Sequence, residues 1–524
     1  MGLHTLYRTI DEHTKPVKGR VVGTIPTWIN GSLYRNGPGI YEVGDTKYKF
    51  FFDPLAIFQR FHIHGGKAFY QSRILKSDTY KANMAARKIV VSEFGTFAVP
   101  DPCQHTFKQF LSFFGYDNTL VNFFPFEDEI YATSESKFVH KVDPETLDSL
   151  GKVNLSNYVA VNAASGHAHY DADGTVHNVG SVHGMSPEIC FVRFTPTGQN
   201  DKSSLEGSEF SSGKIVASIP SSRRLGMSFV HSFAMTENYY VVVEQPLFFD
   251  FLKLKDSDKN GETALSSLEW CPSVRAKLHV VSKYNGEKIN TYEAKAFVVF
   301  HHCNAYEEDG HIVVDLLGYK NNDMLDAFYL SNLTSQESLE IFRRTNQGTL
   351  RRYVLPIHVD QEAPVGQNLI TFEGSKAKAI KTINDTVLVN FEEIIPGIGL
   401  EFPQINYRKY NGRKYRFLYV EGWPNNEGKN FRLLKIDIET RQVLEWAEDG
   451  CYPCEPVFVP NPDGTEEDDG VLLSAINDIK ADVHCKAFLV ILDAKTMREI
   501  ARAYFDIPRF PRDFHGLFKS ENKM

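Results

Sequence analysis

Leu434-Lys435-Ile436-Asp437-Ile438-Glu439-Thr440, followed closely by Val443-Leu444-Glu445-Trp446, reads as two short strands joined by a reversal. The apolar residues are β-branched or aliphatic, and the Asp and Thr supply side-chain oxygens that cap a turn. The same apolar-Asp-x-x-Thr pattern recurs at Lys141-Val142-Asp143-Pro144-Glu145-Thr146 and at Ile491-Leu492-Asp493-Ala494-Lys495-Thr496. Looser copies are Val281-Ser282-Lys283-Tyr284-Asn285-Gly286 and Arg193-Phe194-Thr195-Pro196-Thr197-Gly198. Asp437 and Asp493 are 56 positions apart, and Asp143 and Thr195 are 52 apart. That spacing suits one propeller blade of roughly 40–50 residues plus a loop. Single hairpins occur in any β protein, but five copies favour an all-β propeller. They do not fix the number of blades.

Strand signals dominate elsewhere too, as in Tyr239-Tyr240-Val241-Val242-Val243-Glu244, Phe297 to Phe300 and Ile312 to Asp315. Helical periodicity is local, with Ser335 to Arg344 the best candidate helix. No long Gly/Ser/Pro linker divides the 524 residues, so a single domain over 1–524 is expected. The formal charge of −9 argues against nucleic acid, whose phosphates need a basic face. The seven Cys are scattered and odd in number, as in a reduced cytosolic protein. The N-terminus lacks the basic-then-apolar signature of a secretory signal, and no apolar run approaches the ~20 residues of a spanning helix. A protein that is soluble, or bound at most to a membrane surface, is expected.

Among the 18 His, those at four places in the chain stand where strands begin or end. His167 precedes the strand Gly174-Thr175-Val176. His231 follows Met227-Ser228-Phe229-Val230. His301 and His302 end the apolar run Phe297 to Phe300, and His515 lies in Phe514-His515-Gly516-Leu517-Phe518. A His at the inner end of a strand in several blades points at the propeller axis, where four could share one ion. Taken singly, each reads more readily as a hydrogen-bonded structural residue than as a ligand. An all-imidazole site suits Fe, Cu, Zn or Ni, so ligand type does not choose the metal. Cys451-Tyr452-Pro453-Cys454 is a lone C-x-x-C without a second pair, and both Cys read as structural.

Several motifs together resemble the carotenoid cleavage oxygenase family, which also contains the retinoid isomerase of the retinal pigment epithelium. They run from Gly31-Ser32-Leu33-Tyr34-Arg35-Asn36-Gly37-Pro38-Gly39 through Ser92-Glu93-Phe94-Gly95-Thr96 and Pro100-Asp101-Pro102-Cys103. They continue with His301-His302-Cys303-Asn304-Ala305-Tyr306-Glu307 and Glu401-Phe402-Pro403-Gln404-Ile405-Asn406-Tyr407, and end at Glu466-Glu467-Asp468-Asp469-Gly470-Val471 and Phe514 to Phe518. The resemblance implies a seven-bladed β-propeller, with a helical and loop cap over its top face carrying the substrate tunnel. It implies Fe(2+) held by His167, His231, His301 and His515. His301 rather than His302 follows from the family's Phe-His-x-x-Asn pattern, matched by Phe300 to Asn304. Glu135, Glu401 and Glu455 match the family's carboxylates that hold the ligand imidazoles. One departure is Asp53-Pro54, where the family usually has Asp-Gly, which puts the local turn in question.

The implied reaction uses O2 as co-substrate to split a carotenoid such as β-carotene or zeaxanthin. Overall likeness is to the animal enzymes, and among those to insect isomerooxygenases. That implies cleavage at the central 15,15' double bond with trans-to-11-cis isomerisation of one half. Eccentric 9',10' cleavage and retinyl ester isomerohydrolysis are the alternatives. A cytoplasmic enzyme bound peripherally to membranes is implied. Phe107, Phe110, Leu111, Phe113 and Phe114 match one family segment that dips into membranes. Phe248, Phe249, Phe251 and Leu252, with Lys253 and Lys255, match another. Either stretch could be core, which is the commoner outcome for an isolated stretch. Cys103 matches a position that can be lipidated in the vertebrate isomerase; a buried thiol is the other reading.

Overall fold

The Asp-x-x-Thr stretches do reverse the chain. In this computed structural model, which describes residues 3–98, 116–197, 208–345, 347–481 and 486–521 (backbone only at 208 and 256–260), Asp143 Oδ1 accepts the backbone N–H groups of Glu145 and Thr146, each at 2.8 Å. Asp437 Oδ1 accepts those of Glu439 and Thr440 at 3.0 and 3.1 Å, and Asp493 Oδ1 that of Thr496 at 2.8 Å. The residue after each Thr turns left-handed: φ is 61° at Leu147, 65° at Arg441 and 58° at Met497. The carboxylate pays for three non-glycine residues held in that region.

These reversals occupy equivalent places. Each joins the third and fourth strands, counted outward, of a sheet: Phe138–Val142 with Ser149–Asn154, Arg432–Asp437 with Val443–Trp446, and Ala487–Asp493 with Glu499–Phe505. The looser copy at Ser282–Gly286 does the same between Ala276–Ser282 and Lys288–Ala294. The sequence repeat is therefore the structural repeat. Among the described residues there are seven sheets of four to six strands, plus one of three and one of two. The seven are the blades of a seven-bladed β-propeller.

Opposite ends of the chain close the ring. Gly31–Ile40 pairs antiparallel with His515–Ser520, Asn36 facing His515, inside the first blade. Arg20–Gly23 pairs with Glu499–Phe505 on the outer edge of the seventh. Alternate residues of adjacent blades fill the space between them; Leu33, Phe61 and Tyr70 meet Leu489, Ile491 and Phe505, all at most 1% exposed. Each such side chain contributes about 1.5–3 kcal/mol by leaving water.

Over one face lie the small sheet Gly226–Ser228, Leu247–Asp250 and Leu268–Trp270, the helices Phe251–Asn260 and Ala264–Ser267, and the group Met324–Ala327, Leu330–Leu333 and Ser338–Arg344. The helix expected from Ser335 begins at Ser338, because Ser335 Oγ accepts the Glu337 N–H and forms a turn first. At Asp53-Pro54 the turn is held from outside. Asn118 Nδ2 donates to both carbonyls, at 3.2 and 3.0 Å, and the Asp53 carboxyl accepts from Gly95 N and Thr96 Oγ1. A glycine is not needed there.

The two apolar stretches fare differently. Phe107, Phe110, Leu111, Phe113, Phe114 and Cys103 lie outside the described residues. Phe248 and Phe249 are core rather than surface: they are 3% and 8% exposed, and Phe249 packs against Phe94 and Phe229. They are consecutive on the strand Leu247–Asp250, so they point to opposite faces of the small sheet, and both faces are covered. Phe251 is half-buried and Leu252 is 57% exposed, with Lys253 and Lys255 exposed beside it. Among the described residues, no helix is long and apolar enough to cross a membrane.

Candidate metal centre and cavity

Each of the seven blades delivers one residue of the site near the axis. His167 follows the inner strand Ala163–Ala164 of the third blade, and His231 precedes Ala234–Met235 of the fourth. His301 lies on Val298–Glu308 of the fifth, and His515 opens the strand that completes the first. The remaining three blades supply carboxylates. Glu135 follows Glu129–Thr133 of the second, Glu401 lies on Leu400–Gln404 of the sixth, and Glu455 falls between Cys451–Pro453 and Val457–Pro460 of the seventh.

The four imidazoles converge. One ring nitrogen from each lies within 4.8 Å of all the others. Nε2 of His167 and Nε2 of His231 are 2.9 Å apart, and Nε2 of His231 and Nε2 of His301 are 3.2 Å apart. The opposite nitrogens of three of them meet carboxylates. His301 Nδ1 donates to Glu401, whose other oxygen accepts from Tyr319. His515 Nδ1 donates to Glu455 Oε1 at 2.8 Å. His231 Nδ1 lies 2.7 Å from Glu135 Oε1, off the ideal hydrogen-bond direction.

For His231, His301 and His515 that arrangement fixes the tautomer. A neutral imidazole with its proton on Nδ1 presents a bare lone pair at Nε2. Burial and the neighbouring imidazoles hold His167 well below the usual imidazole range. Burial also lowers His515 to about 4, against the pull of Glu455. Lone pairs therefore face one another with too few protons to bridge them. The donor set fits a cation that accepts imidazole nitrogen. His169 and His302 do not join it. His169 meets the Tyr407 hydroxyl at 2.8 Å and the Phe233 carbonyl at 3.0 Å, and His302 Nδ1 meets Ser232 Oγ at 2.8 Å.

Sequence reading missed the layer behind the carboxylates. Arg35, 1% exposed, donates Nη1 to Glu455 Oε2 at 2.6 Å, and Nε and Nη2 to Asp513 Oδ1 at 3.0 and 2.5 Å. Burial raises the Glu455 carboxyl, but His515 and Arg35 outweigh it and leave it at about 2. The signal was present: all ten residues of Gly31–Ile40 are buried, and an Arg inside such a strand needs an anionic partner. Phe402 was also missed. It takes φ of 56° beside Glu401, its N–H donates to Glu401 Oε2, and its ring sits 5.8 and 5.2 Å from those of His301 and His515. Backbone held in that region is strained, and strain of this kind collects at functional sites.

A cavity runs from this centre beneath the cap. His231, His301 and His515 stand in its wall, and Phe50, Phe52, Phe94, Phe229, Phe300 and Phe328 are among its many aromatic residues. The second grouping of metal-ligand types among the described residues, Glu448, Cys451 and Asp478, is already engaged: Arg502 pairs with Glu448, and Asp478 Oδ1 accepts from Lys480 N. Cys451 and Cys454 are buried and unbridged.

Fold and site together define a propeller with a histidine-rich candidate metal centre under an apolar cavity. Residues 7–520 match the family model described as retinal pigment epithelial membrane protein. The chain belongs to this family, the carotenoid oxygenases. It is 40% identical over 521 residues to the β,β-carotene 15,15'-dioxygenase of Rattus norvegicus, covering 98% of this chain and 90% of that one. It is 38% identical to the mitochondrial carotenoid-cleaving dioxygenase of Mustela putorius furo, covering 98% and 95%. Among solved structures, a Glu150Gln mutant of Synechocystis apocarotenoid oxygenase superposes with a TM-score of 0.76 at 22% identity, over 99% of this chain and 98% of that one.

Proposed function

We propose that this protein is an iron(II)-dependent dioxygenase that splits a carotenoid at its central 15,15' double bond, with His167, His231, His301 and His515 as the iron ligands. The single observation that carries the reading is the convergence of four imidazole nitrogens beside an aromatic-lined cavity. Full-length similarity to proteins named 15,15'-dioxygenases supports the position of cleavage. Iron bound there supplies the activation of dioxygen. The protein's own residues do the rest. Glu135, Glu401 and Glu455 hold the imidazoles in one tautomer and orientation. The aromatic walls align an extended polyene beside the centre and exclude water, so the work is positioning. Both atoms of O2 end in the products, one in each aldehyde. Coupled isomerisation of one half to the 11-cis form belongs to the same proposal.

A substrate this insoluble arrives from a bilayer, and Phe251 and Leu252 with Lys253 and Lys255 suit a peripheral attachment at a cytoplasmic membrane surface. The test is product analysis with purified, iron-loaded protein and β-carotene. Consumption of O2 with C20 aldehydes alone, about half of them 11-cis, is expected. All-trans C20 products would remove the isomerase half of the proposal. Unequal fragments would overturn central cleavage, and turnover without O2 would overturn the oxygenase reading.

A further inference from the structure

The inner segments that carry the imidazoles continue past them. Residues before each ligand face the cavity, as Phe229 and Val230 do before His231 and Phe300 does before His301. Residues after it lead away from the cap, toward hairpins at which Asp173, Glu237 and Asp309 are exposed. The first layer on that side is Ser232 with His302, which follow His231 and His301 directly and do not line the cavity. Ser232 Oγ donates to the Phe300 carbonyl at 2.6 Å. A hydroxyl has one proton, so toward His302 it only accepts, from the backbone N–H at 3.1 Å and from Nδ1 at 2.8 Å. His302 therefore carries its ring proton on Nδ1 and presents a bare lone pair at Nε2. That nitrogen is buried and has no hydrogen-bond partner among the described residues. It has the tautomer of a metal ligand without being one of the four.

The second layer crosses the axis. His169, two residues past His167, donates from Nε2 to the carbonyl of Phe233, two residues past His231, at 3.0 Å. Its Nδ1 is then an acceptor, and the Tyr407 hydroxyl donates to it at 2.8 Å. His169 belongs to the third blade, and Tyr407 opens the short helix Tyr407–Tyr410 of the sixth. Those blades are not neighbours in the ring, so the contact between them spans the axis. His169 and Tyr407 are half-buried, and Arg408 and Lys409 beside Tyr407 are exposed, so this layer adjoins the face opposite the cap.

A divalent cation leaves water only where nitrogen or oxygen replaces its hydration. The aromatic cavity offers little of either before the centre itself. Along the axis, the Tyr407 hydroxyl, His169, the Phe233 carbonyl and His302 Nε2 succeed one another. Resting on the proposed four-histidine metal centre, we infer that His302 and His169 form a transient divalent-cation site through which the centre is loaded from the face opposite the cap, with Tyr407 as the latch that holds His169 Nδ1.

The test is kinetic and needs no turnover. Apoprotein is loaded anaerobically with Fe(II), bound metal per chain is followed in time, and release is read by transfer to a chromogenic Fe(II) chelator. Chelator-buffered titration gives Kd. A transient site lowers a barrier without changing the end states, so His302→Leu should slow loading and release alike by about tenfold, with Kd unchanged. Tyr407→Phe removes the latch and should speed both by about three- to tenfold, the worth of one hydrogen bond. A merely structural role would move Kd or the denaturation midpoint and would not give rate changes of opposite sign. If His302→Leu does not fold, Tyr407→Phe, which keeps the ring, carries the test. Unchanged rates in Tyr407→Phe, or a change confined to release and matched by Kd, overturn the inference, while stoichiometric Fe(II) in the wild type leaves the four-histidine centre standing. A wild-type protein that binds no Fe(II) overturns both.

Discussion

Glu455→Gln separates two tasks that one carboxylate performs. Oε1 accepts from His515 Nδ1 at 2.8 Å and Gln404 Nε2 at 2.9 Å, while Oε2 accepts from Arg35 Nη1 at 2.6 Å. A glutamine amide has one oxygen, so it serves only one side. If the oxygen faces Arg35, the NH2 group faces His515, and that imidazole must move its proton to Nε2, where it points into the metal centre. If the oxygen faces His515, the NH2 group faces a buried guanidinium left with Asp513. In metal-free protein the first orientation costs little. Binding a metal demands the second, which forfeits a charge-assisted hydrogen bond of about 1.5–3 kcal/mol. At 1.4 kcal/mol per tenfold, metal affinity should fall by roughly 10–100-fold, the range seen when such partners are lost. Glu135→Gln is the control. Its contact is with His231, and no arginine contacts it among the described residues, so its amide can turn its oxygen to the imidazole without that cost. Chelator-buffered Fe(II) titrations should show Glu455→Gln weaker than Glu135→Gln by about tenfold. Equal affinities in the two variants would refute the reasoning.

Other expectations follow from the same coordinates. His301→Ala should lose bound metal, while His302→Ala, which faces Ser232, should retain it; metal content per chain decides, and the reverse result would move the ligand by one position. Asp143→Ala frees two N–H groups at a hairpin far from the axis, so it should cost about 1 kcal/mol with metal content unchanged, read from the denaturation midpoint. Phe251→Ser with Leu252→Ser should weaken liposome co-sedimentation without loss of fold, whereas Phe248→Ser should give insoluble protein. Asp53 is fully buried, and burial raises it to about 7 against its hydrogen bonds from Thr96 and Gly95. Between pH ~3.9 and about 7 the folded state therefore holds a proton that the unfolded state has released, and stability falls as pH rises through that window. Asp53→Asn should flatten this fall; a denaturation midpoint with the same pH slope as wild type would count against the assignment.

The fold was legible because its repeat is local. An Asp oxygen capping the N–H groups two and three residues on needs only adjacent residues, and it marks the same hairpin in several blades. Blade number was not legible, because the first blade borrows its inner strand from the other end of the chain, with Asn36 opposite His515. His167, His231 and His515 were legible beside strand ends; His301 was expected to end a strand at Phe300 but lies inside Val298–Glu308, which continues past it through register shifts, and the family motif set the register between His301 and His302. What local sequence hides is the pairing. Glu401 with His301 and Glu455 with His515 link neighbouring blades, yet Glu135 of the second blade reaches His231 of the fourth, past the third, which carries His167. No spacing rule predicts that reach, since it depends on how far each inner strand projects toward the axis. The same geometry explains Arg35. Its alternation looks like that of any buried strand, and its charge is tolerable only because the ring closes with Asp513 and Glu455 beside it. Closure of the propeller and assembly of the site are thus one event. The strand that pairs Asn36 with His515 also sets His515 against Glu455 and Arg35 against both of its carboxylates. Closure out of register would leave a buried guanidinium and two carboxylates unpaired, a cost of several kcal/mol. Mis-registered closure is thereby disfavoured, because a slip of one residue would turn Arg35 to the opposite face of its strand.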